Sequence, residues 1–210
     1  MAAVDFSLYL VTDRTQTRGR PLVTVIRSAV EAGLPALQVR ERDLATGPLL
    51  DLVAEIRRGP WMRRPLVFVN DRLDIALATD ADGIHLRADS LPASLARRIL
   101  GAKKLIGQST HSVDDVRRAS DEGADFVVFG PVYDTASKRA YGPPLGLDSL
   151  EAAARVTRLP VFAIGGITSE RVVRVRQAGA FGVAVVSSLL MADNVARETA
   201  DFLTALRRPV

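Results

Sequence analysis

A single α/β domain spanning residues 1–210, folded as a (β/α)8 TIM barrel, is what this sequence predicts. Three observations carry the prediction. Eight short apolar runs rich in β-branched residues recur along the chain, stretches of helical period separate them, and glycines fall where those stretches stop. Eight strands each followed by a helix, within about two hundred residues, make a compact barrel. A doubly wound open sheet is the alternative, but eight regular units leave little reason for a sheet edge.

Taken in order, the first strand is expected at 7–12 and its helix at 21–32, closed by Gly33. The second strand, 36–40, leads to a helix at 48–57, and the third, 66–70, to one at 73–79. The fourth, 83–86, precedes a helix at 92–100 that Gly101 terminates. After the fifth strand, 105–109, Ser112 is a candidate N-cap with Asp115 three residues on, opening a helix at 113–122 before Gly123. The sixth strand, 126–129, is followed by the longest irregular stretch, 139–145, a candidate flap, and then a helix at 147–156. The seventh, 161–164, precedes Ser169 as a candidate N-cap, a helix at 170–177 and Gly179. The eighth strand, 182–186, and a helix at 194–206 complete the chain.

Composition narrows the function. The net charge of +4 suits anionic substrates but arises equally from solvated Arg-rich helix faces. Aromatics at 5% and the lack of a clustered basic stripe disfavour nucleic-acid binding. With no cysteine there is no disulfide, thiolate metal site or Cys nucleophile. The first residues lack the pattern of a secretory leader, and no apolar run approaches a membrane span, so a cytoplasmic protein without a membrane partner is expected.

In such barrels chemistry sits at the carboxyl ends of the strands, and polar residues gather there. The run from Phe129 to Lys138 passes through Gly130-Pro131 into Thr135, Ser137 and Lys138, two hydroxyls and an ammonium suited to phosphate oxygens. After the second strand, alternation sends Gln38, Arg40 and Arg42 to one face, where paired guanidiniums suit a diphosphate. The structural alternative is ion pairing with Glu41 or Asp43. Asn70-Asp71 reads as a Mg²⁺ and phosphate corner or, alternatively, as an N-cap at Asp71. Ser109 or Thr110 could bond phosphate, whereas His111 and His85 read as structural. Gly165-Gly166 and Val186-Ser187 lie after the seventh and eighth strands, the recurrent phosphate address of this fold. Two anion subsites follow, one built on Arg40, Arg42, Asn70, Ser109 and Lys138, the other on Thr135, Ser137, Gly166 and Ser187.

These segments resemble those of the thiamine phosphate synthase family. The likeness runs from Tyr9-Leu10-Val11-Thr12-Asp13 through Gln38-Val39-Arg40-Glu41-Arg42, Asn70-Asp71-Arg72-Leu73-Asp74 and Asp82-Gly83-Ile84-His85-Leu86. It continues through Phe129-Gly130-Pro131-Val132, Thr135-Ala136-Ser137-Lys138 and Ala163-Ile164-Gly165-Gly166-Ile167 to Val185-Val186-Ser187. The resemblance implies a (β/α)8 transferase that joins hydroxymethylpyrimidine diphosphate to a thiazole phosphate and releases diphosphate, with Mg²⁺ as cofactor. It implies that Gln38, Arg40, Arg42, Asn70, Ser109 and Lys138 hold the diphosphate, with Arg40, Lys138 and Ser109 nearest the chemistry. It assigns Thr135, Ser137, Gly166, Val186 and Ser187 to the thiazole phosphate, and Asp71 to the metal.

Two departures stand out. Arg42 occupies a usual Lys position, and Ser90 stands where the second metal carboxylate belongs, leaving its neighbour Asp89 as the substitute ligand. The sister thiazole tautomerases need no diphosphate metal, but their proposed acid/base His corresponds to Pro131 here. The synthase is therefore the reading adopted. A tautomerase and a non-catalytic phosphate-ligand binding protein are the alternatives, and a homodimer is the candidate assembly.

Overall fold

The computed structural model describes residues 4–135 and 142–209. Eight parallel strands close into a barrel in chain order. They are β1 (Leu8–Val11), β2 (Ala36–Val39), β3 (Leu66–Asn70), β4 (Gly83–Leu86), β5 (Leu105–Thr110), β6 (Phe126–Phe129), β7 (Val161–Ala163) and β8 (Gly182–Val185). Around them lie α1 (Leu22–Glu31), α2 (Thr46–Arg58), α3 (Leu73–Ala78), α4 (Ala93–Leu100), α5 (Val113–Asp121), α6 (Gly146–Arg155), α7 (Val172–Gln177), α8 (Ser187–Leu190) and α9 (Val195–Arg207). Each strand stands within two residues of its expected place. Closure follows from β1 pairing with both β2 and β8, Tyr9 lying opposite Ala36 on one side and Ala184 on the other.

Alternation divides the apolar residues into two layers. One layer, including Leu37, Val67, Ile84, Ile106, Val127 and Val183, packs outward beneath the helices. The other fills the barrel and centres on Phe6, Tyr9, Phe68, Phe126 and Phe162, all essentially buried. Rings this large need empty neighbours. A Cβ on Gly83 would stand 2.7 Å from the Phe68 ring, and one on Gly107 would stand 2.3 Å from the Phe126 ring. The aromatic plug thus closes the barrel below the strands' carboxyl ends and leaves the mouth above it for polar side chains.

The expected helix stops at Gly33, Gly101, Gly123 and Gly179 all adopt left-handed φ, between 77° and 100°. Ser112 caps α5 as expected, its Oγ accepting from the Asp115 N–H at 3.0 Å. Ser169 does not cap. It is the first residue of a 3-10 turn over Ser169–Arg171 that precedes α7, and Thr168 holds the cap position. The four-residue α8 was not anticipated, being too short to show a helical period. Of the expected flap at 139–145, residues 139–141 lie outside the described residues, and its last residue is tied to the barrel, Leu145 N–H donating to Pro131 O at 2.8 Å.

Candidate active site

The second strand's end is anchored by a residue that sequence reasoning left out. Thr12, just past β1, accepts from the Arg40 N–H at 2.9 Å and donates its hydroxyl to Glu41 at 2.6 Å. Glu41 also accepts from the Arg14 backbone N–H and from its guanidinium, at 3.1 and 3.2 Å. Asp43 likewise pairs with Arg14 at 2.6 Å. The acidic residues beside Arg40 and Arg42 are thus both engaged by Arg14, a partner from the preceding loop that the structural alternative did not include. The Arg40 charge is felt nearby, as a minor contribution that lowers the pKa of both Asp13 and His85.

Above the aromatic plug, Gln38 Nε2 donates to Asn70 Oδ1 at 2.9 Å, linking the ends of β2 and β3. His85 faces inward on β4. Its Nε2 lies 3.0 Å from Ser109 Oγ, and its Nδ1 lies 3.5 Å from the Tyr9 hydroxyl. Burial, with the Arg40 charge as a smaller contribution, pushes the imidazole down to about 3, so it is neutral at physiological pH. His85 was read as structural, yet it touches a candidate site residue. Its position two residues beyond the inward-facing Gly83 was the available signal. His111 matches the structural reading, its Nδ1 lying 2.6 Å from Gly130 O.

Arg42 is exposed and lines a cleft of about 240 Å³ with Asn70, Asp71, Arg72 and Arg87. Asp71 is pinned there. Its φ of 59° is left-handed, unusual for a residue with a side chain, and its N–H donates to His85 O at 3.0 Å. It does not cap α3, whose N-cap position is Arg72 with no side-chain capping bond. Instead Asp71 Oδ1 accepts a short hydrogen bond from the Ser90 hydroxyl, and Oδ2 lies 2.9 Å from Arg87 Nε. Arg87 Nε is buried and out of line for a true hydrogen bond with that oxygen, so the contact is chiefly Coulombic. Asp89, whose side chain is 77% exposed, approaches the same Nε at 3.3 Å.

This arrangement does not fit a divalent cation shared by Asp71 and Asp89. A guanidinium already stands between the two carboxylates, and near a protein surface like charges some 4 Å apart repel by about 4 kcal/mol per unit pair. Among the described residues no group of three potential acidic, His or Cys ligands converges.

On the opposite side of the mouth the loops after β6 and β7 run against each other. Val132 N–H donates to Ile164 O at 2.8 Å, and Tyr133 N–H donates to Gly165 O at 3.0 Å. Gly166 has φ 62°, and a Cβ there would stand 2.6 Å from Asp134 O, so only glycine fits without displacing backbone. Arg171 donates to Gly166 O at 2.5 Å and stacks over Tyr133, 4.5 Å from the ring centre. Ser187 opens α8, and Ser188 Oγ donates to Ile167 O at 2.5 Å, tying the β8 loop to the β7 loop. Val186 and Thr135 are half-buried beside these turns, while Ser137 and Lys138 lie outside the described residues. Parallel closure puts Arg40, Asn70, Ser109, Gly166 and Ser187 at the same end of the barrel.

Comparison with known proteins points to one family. The profile of the thiamine monophosphate synthase family matches residues 8–189. The thiamine-phosphate synthase of Chloroflexus aurantiacus is 40% identical over 192 residues, covering 91% of this chain and 88% of the relative. That of Syntrophomonas wolfei is 38% identical over 198 residues, covering 94% and 95%. The solved thiamine phosphate pyrophosphorylase from Pyrococcus furiosus superposes with a TM-score of 0.85 at 32% identity, covering 95% of each chain. The chain belongs to the thiamine monophosphate synthase family of (β/α)8 transferases.

Proposed function

We infer that this barrel is a thiamine-phosphate synthase, transferring the hydroxymethylpyrimidine group from its diphosphate to the nitrogen of a thiazole phosphate. The observation that carries the reading is the family match along 8–189 together with two polar clusters facing one mouth, Arg40 with Gln38–Asn70 and Ser109 on one side and Gly166 with Ser187 on the other.

In this reaction the methylene–oxygen bond of the pyrimidine breaks and its electron pair leaves with diphosphate. The thiazole nitrogen supplies the pair for the new carbon–nitrogen bond. The principal demand is on stabilising the departing anion, which preorganised donors and cations meet. Arg40, Arg42, Asn70, Ser109 and Lys138 are the proposed diphosphate ligands. Gln38 positions the Asn70 amide through the 2.9 Å bond and leaves its nitrogen for the ligand. Neutral His85 bonds Ser109 without adding a second cation beneath the diphosphate. Thr135, Ser137, Gly166, Val186 and Ser187 are proposed for the thiazole phosphate, whose oxygens can meet backbone N–H groups where a side chain would not fit.

The family resemblance carries an expectation of Mg²⁺ at Asp71, with Asp89 substituting for the carboxylate absent at Ser90, and the Arg87 guanidinium lying against both carboxylates does not fit it. The cytoplasm and a homodimer are the proposed compartment and assembly. Exposed Leu77 on α3 and Leu95 and Ile99 on α4 are apolar surface that a dimer would bury, and sedimentation of the pure protein decides the assembly.

The deciding assay incubates the pure protein with both phosphorylated substrates, in Mg²⁺ and in EDTA. Thiamine phosphate should form. None above background in either condition, beside a competent control enzyme, rules the reading out. Proton exchange into a thiazole carboxylate phosphate with no pyrimidine present would select the tautomerase instead.

A further inference from the structure

We propose that Arg87 replaces, within the chain itself, the divalent cation that members of this family are expected to use, so that diphosphate is gripped by guanidinium groups with no metal bridge at Asp71. The inference rests on the synthase reading for the identity of the anion, but its geometry is independent of that reading.

Arg87 lies one residue beyond β4, on the same alternation as inward-facing Gly83 and His85, so its side chain leaves the barrel at the mouth. It lines the cleft with Arg42 and Asn70, both proposed diphosphate ligands. Each carboxylate approaches it most closely at Nε, the inner end of the guanidinium, at 2.9 Å for Asp71 and 3.3 Å for Asp89. An anion entering the cleft would meet the planar fork beyond that nitrogen, a shape that binds phosphate oxygens in pairs.

Residues 87 and 90 act as a unit around Asp71. A carboxylate at 90 would face Asp71 and require a cation between them. Serine at 90 leaves the corner with one negative charge fewer, and its hydroxyl donates to Asp71 Oδ1. One carboxylate with one guanidinium is neutral, as two carboxylates with a divalent ion would be. Asp89 is largely in solvent, where its charge is screened and counts for little. With both Asp71 oxygens engaged, the corner holds its own cation and has no vacant anionic ligand pair to offer a metal.

The test reads binding on the full chain without either organic substrate. Inorganic diphosphate is titrated calorimetrically in EDTA, and Mn²⁺ binding is followed by electron paramagnetic resonance. The wild-type protein should bind diphosphate in EDTA. R87A should bind it about tenfold more weakly or worse, and R87K should fall between. R87G/S90D should take up Mn²⁺ about tenfold more tightly than the wild type. The proposal is overturned if wild-type diphosphate binding vanishes in EDTA and returns with Mg²⁺, or if wild type and R87G/S90D hold Mn²⁺ equally well. Should a variant fail to fold by circular dichroism, the wild-type EDTA titration still decides. Absence of thiamine phosphate synthesis in every condition would sink the synthase reading alone, leaving these binding results to stand for or against Arg87.

Discussion

His85 Nε2 lies 3.0 Å from Ser109 Oγ at the floor of the barrel mouth, joining the ends of β4 and β5 through a fully buried imidazole. Because burial holds that imidazole at about 3 against an ordinary value near 6.5, the unfolded chain binds the proton first as pH falls. The stabilising contribution is complete above pH 6.5 and declines between there and pH 3. The wild-type urea midpoint should drop across that window, with a slope from this group approaching about 1.4 kcal/mol per pH unit. His85→Asn should flatten the dependence. The same slope in both proteins would remove His85 as its source.

Arg40→Ala and Lys138→Ala should each slow single-turnover thiamine phosphate formation by about 10²–10³, since stabilising a leaving group's charge is usually a dominant catalytic contribution. Rapid-quench measurement with both substrates saturating separates this from weaker binding. An unchanged rate in either variant takes that residue out of the chemistry.

Gly166→Ala adds a Cβ 2.6 Å from Asp134 O at a φ of 62°. The left-handed conformation alone costs about 1–2 kcal/mol, and the β6 and β7 loops must separate to relieve the contact. A raised KM for the thiazole phosphate, with that for the pyrimidine substrate little changed, is the expected result. Equal effects on both substrates would mean that Gly166 does not belong to the thiazole side.

Gly83→Ala should act on stability and not on chemistry. The new methyl would stand 2.2 Å from Leu105 O and 2.7 Å from the Phe68 ring. Overpacking of this kind costs about 1–3 kcal/mol. Urea denaturation should show the loss, and a midpoint equal to wild type would mean that the plug is looser than its geometry states.

Much of the fold was legible in the sequence. The paired alternation of apolar runs and helical stretches located every strand to within two residues, and polar residues at the strands' carboxyl ends marked the mouth. Four side chains have partners that the sequence did not reveal, each because the partner lies far away along the chain. Glu41 and Asp43 were the alternative partners for Arg40 and Arg42, and both pair with Arg14, 27 and 29 residues away. Asp71 was a candidate N-cap, yet Ser90 and Arg87 take its two oxygens. His85 is buried, as its structural reading requires, but its contact with Ser109, 24 residues away, was not foreseen.

What the sequence determined by itself is therefore the order and kind of elements and the end of the barrel at which chemistry collects, since periods of two and 3.6 residues are local properties written into neighbouring side chains. What only the tertiary structure decided is which charges meet. Parallel pairing of neighbouring strands brings β1 against β2 and the Asp71 turn against the β4 loop. Electrostatic partnership depends on those distances and on burial, which no local pattern encodes.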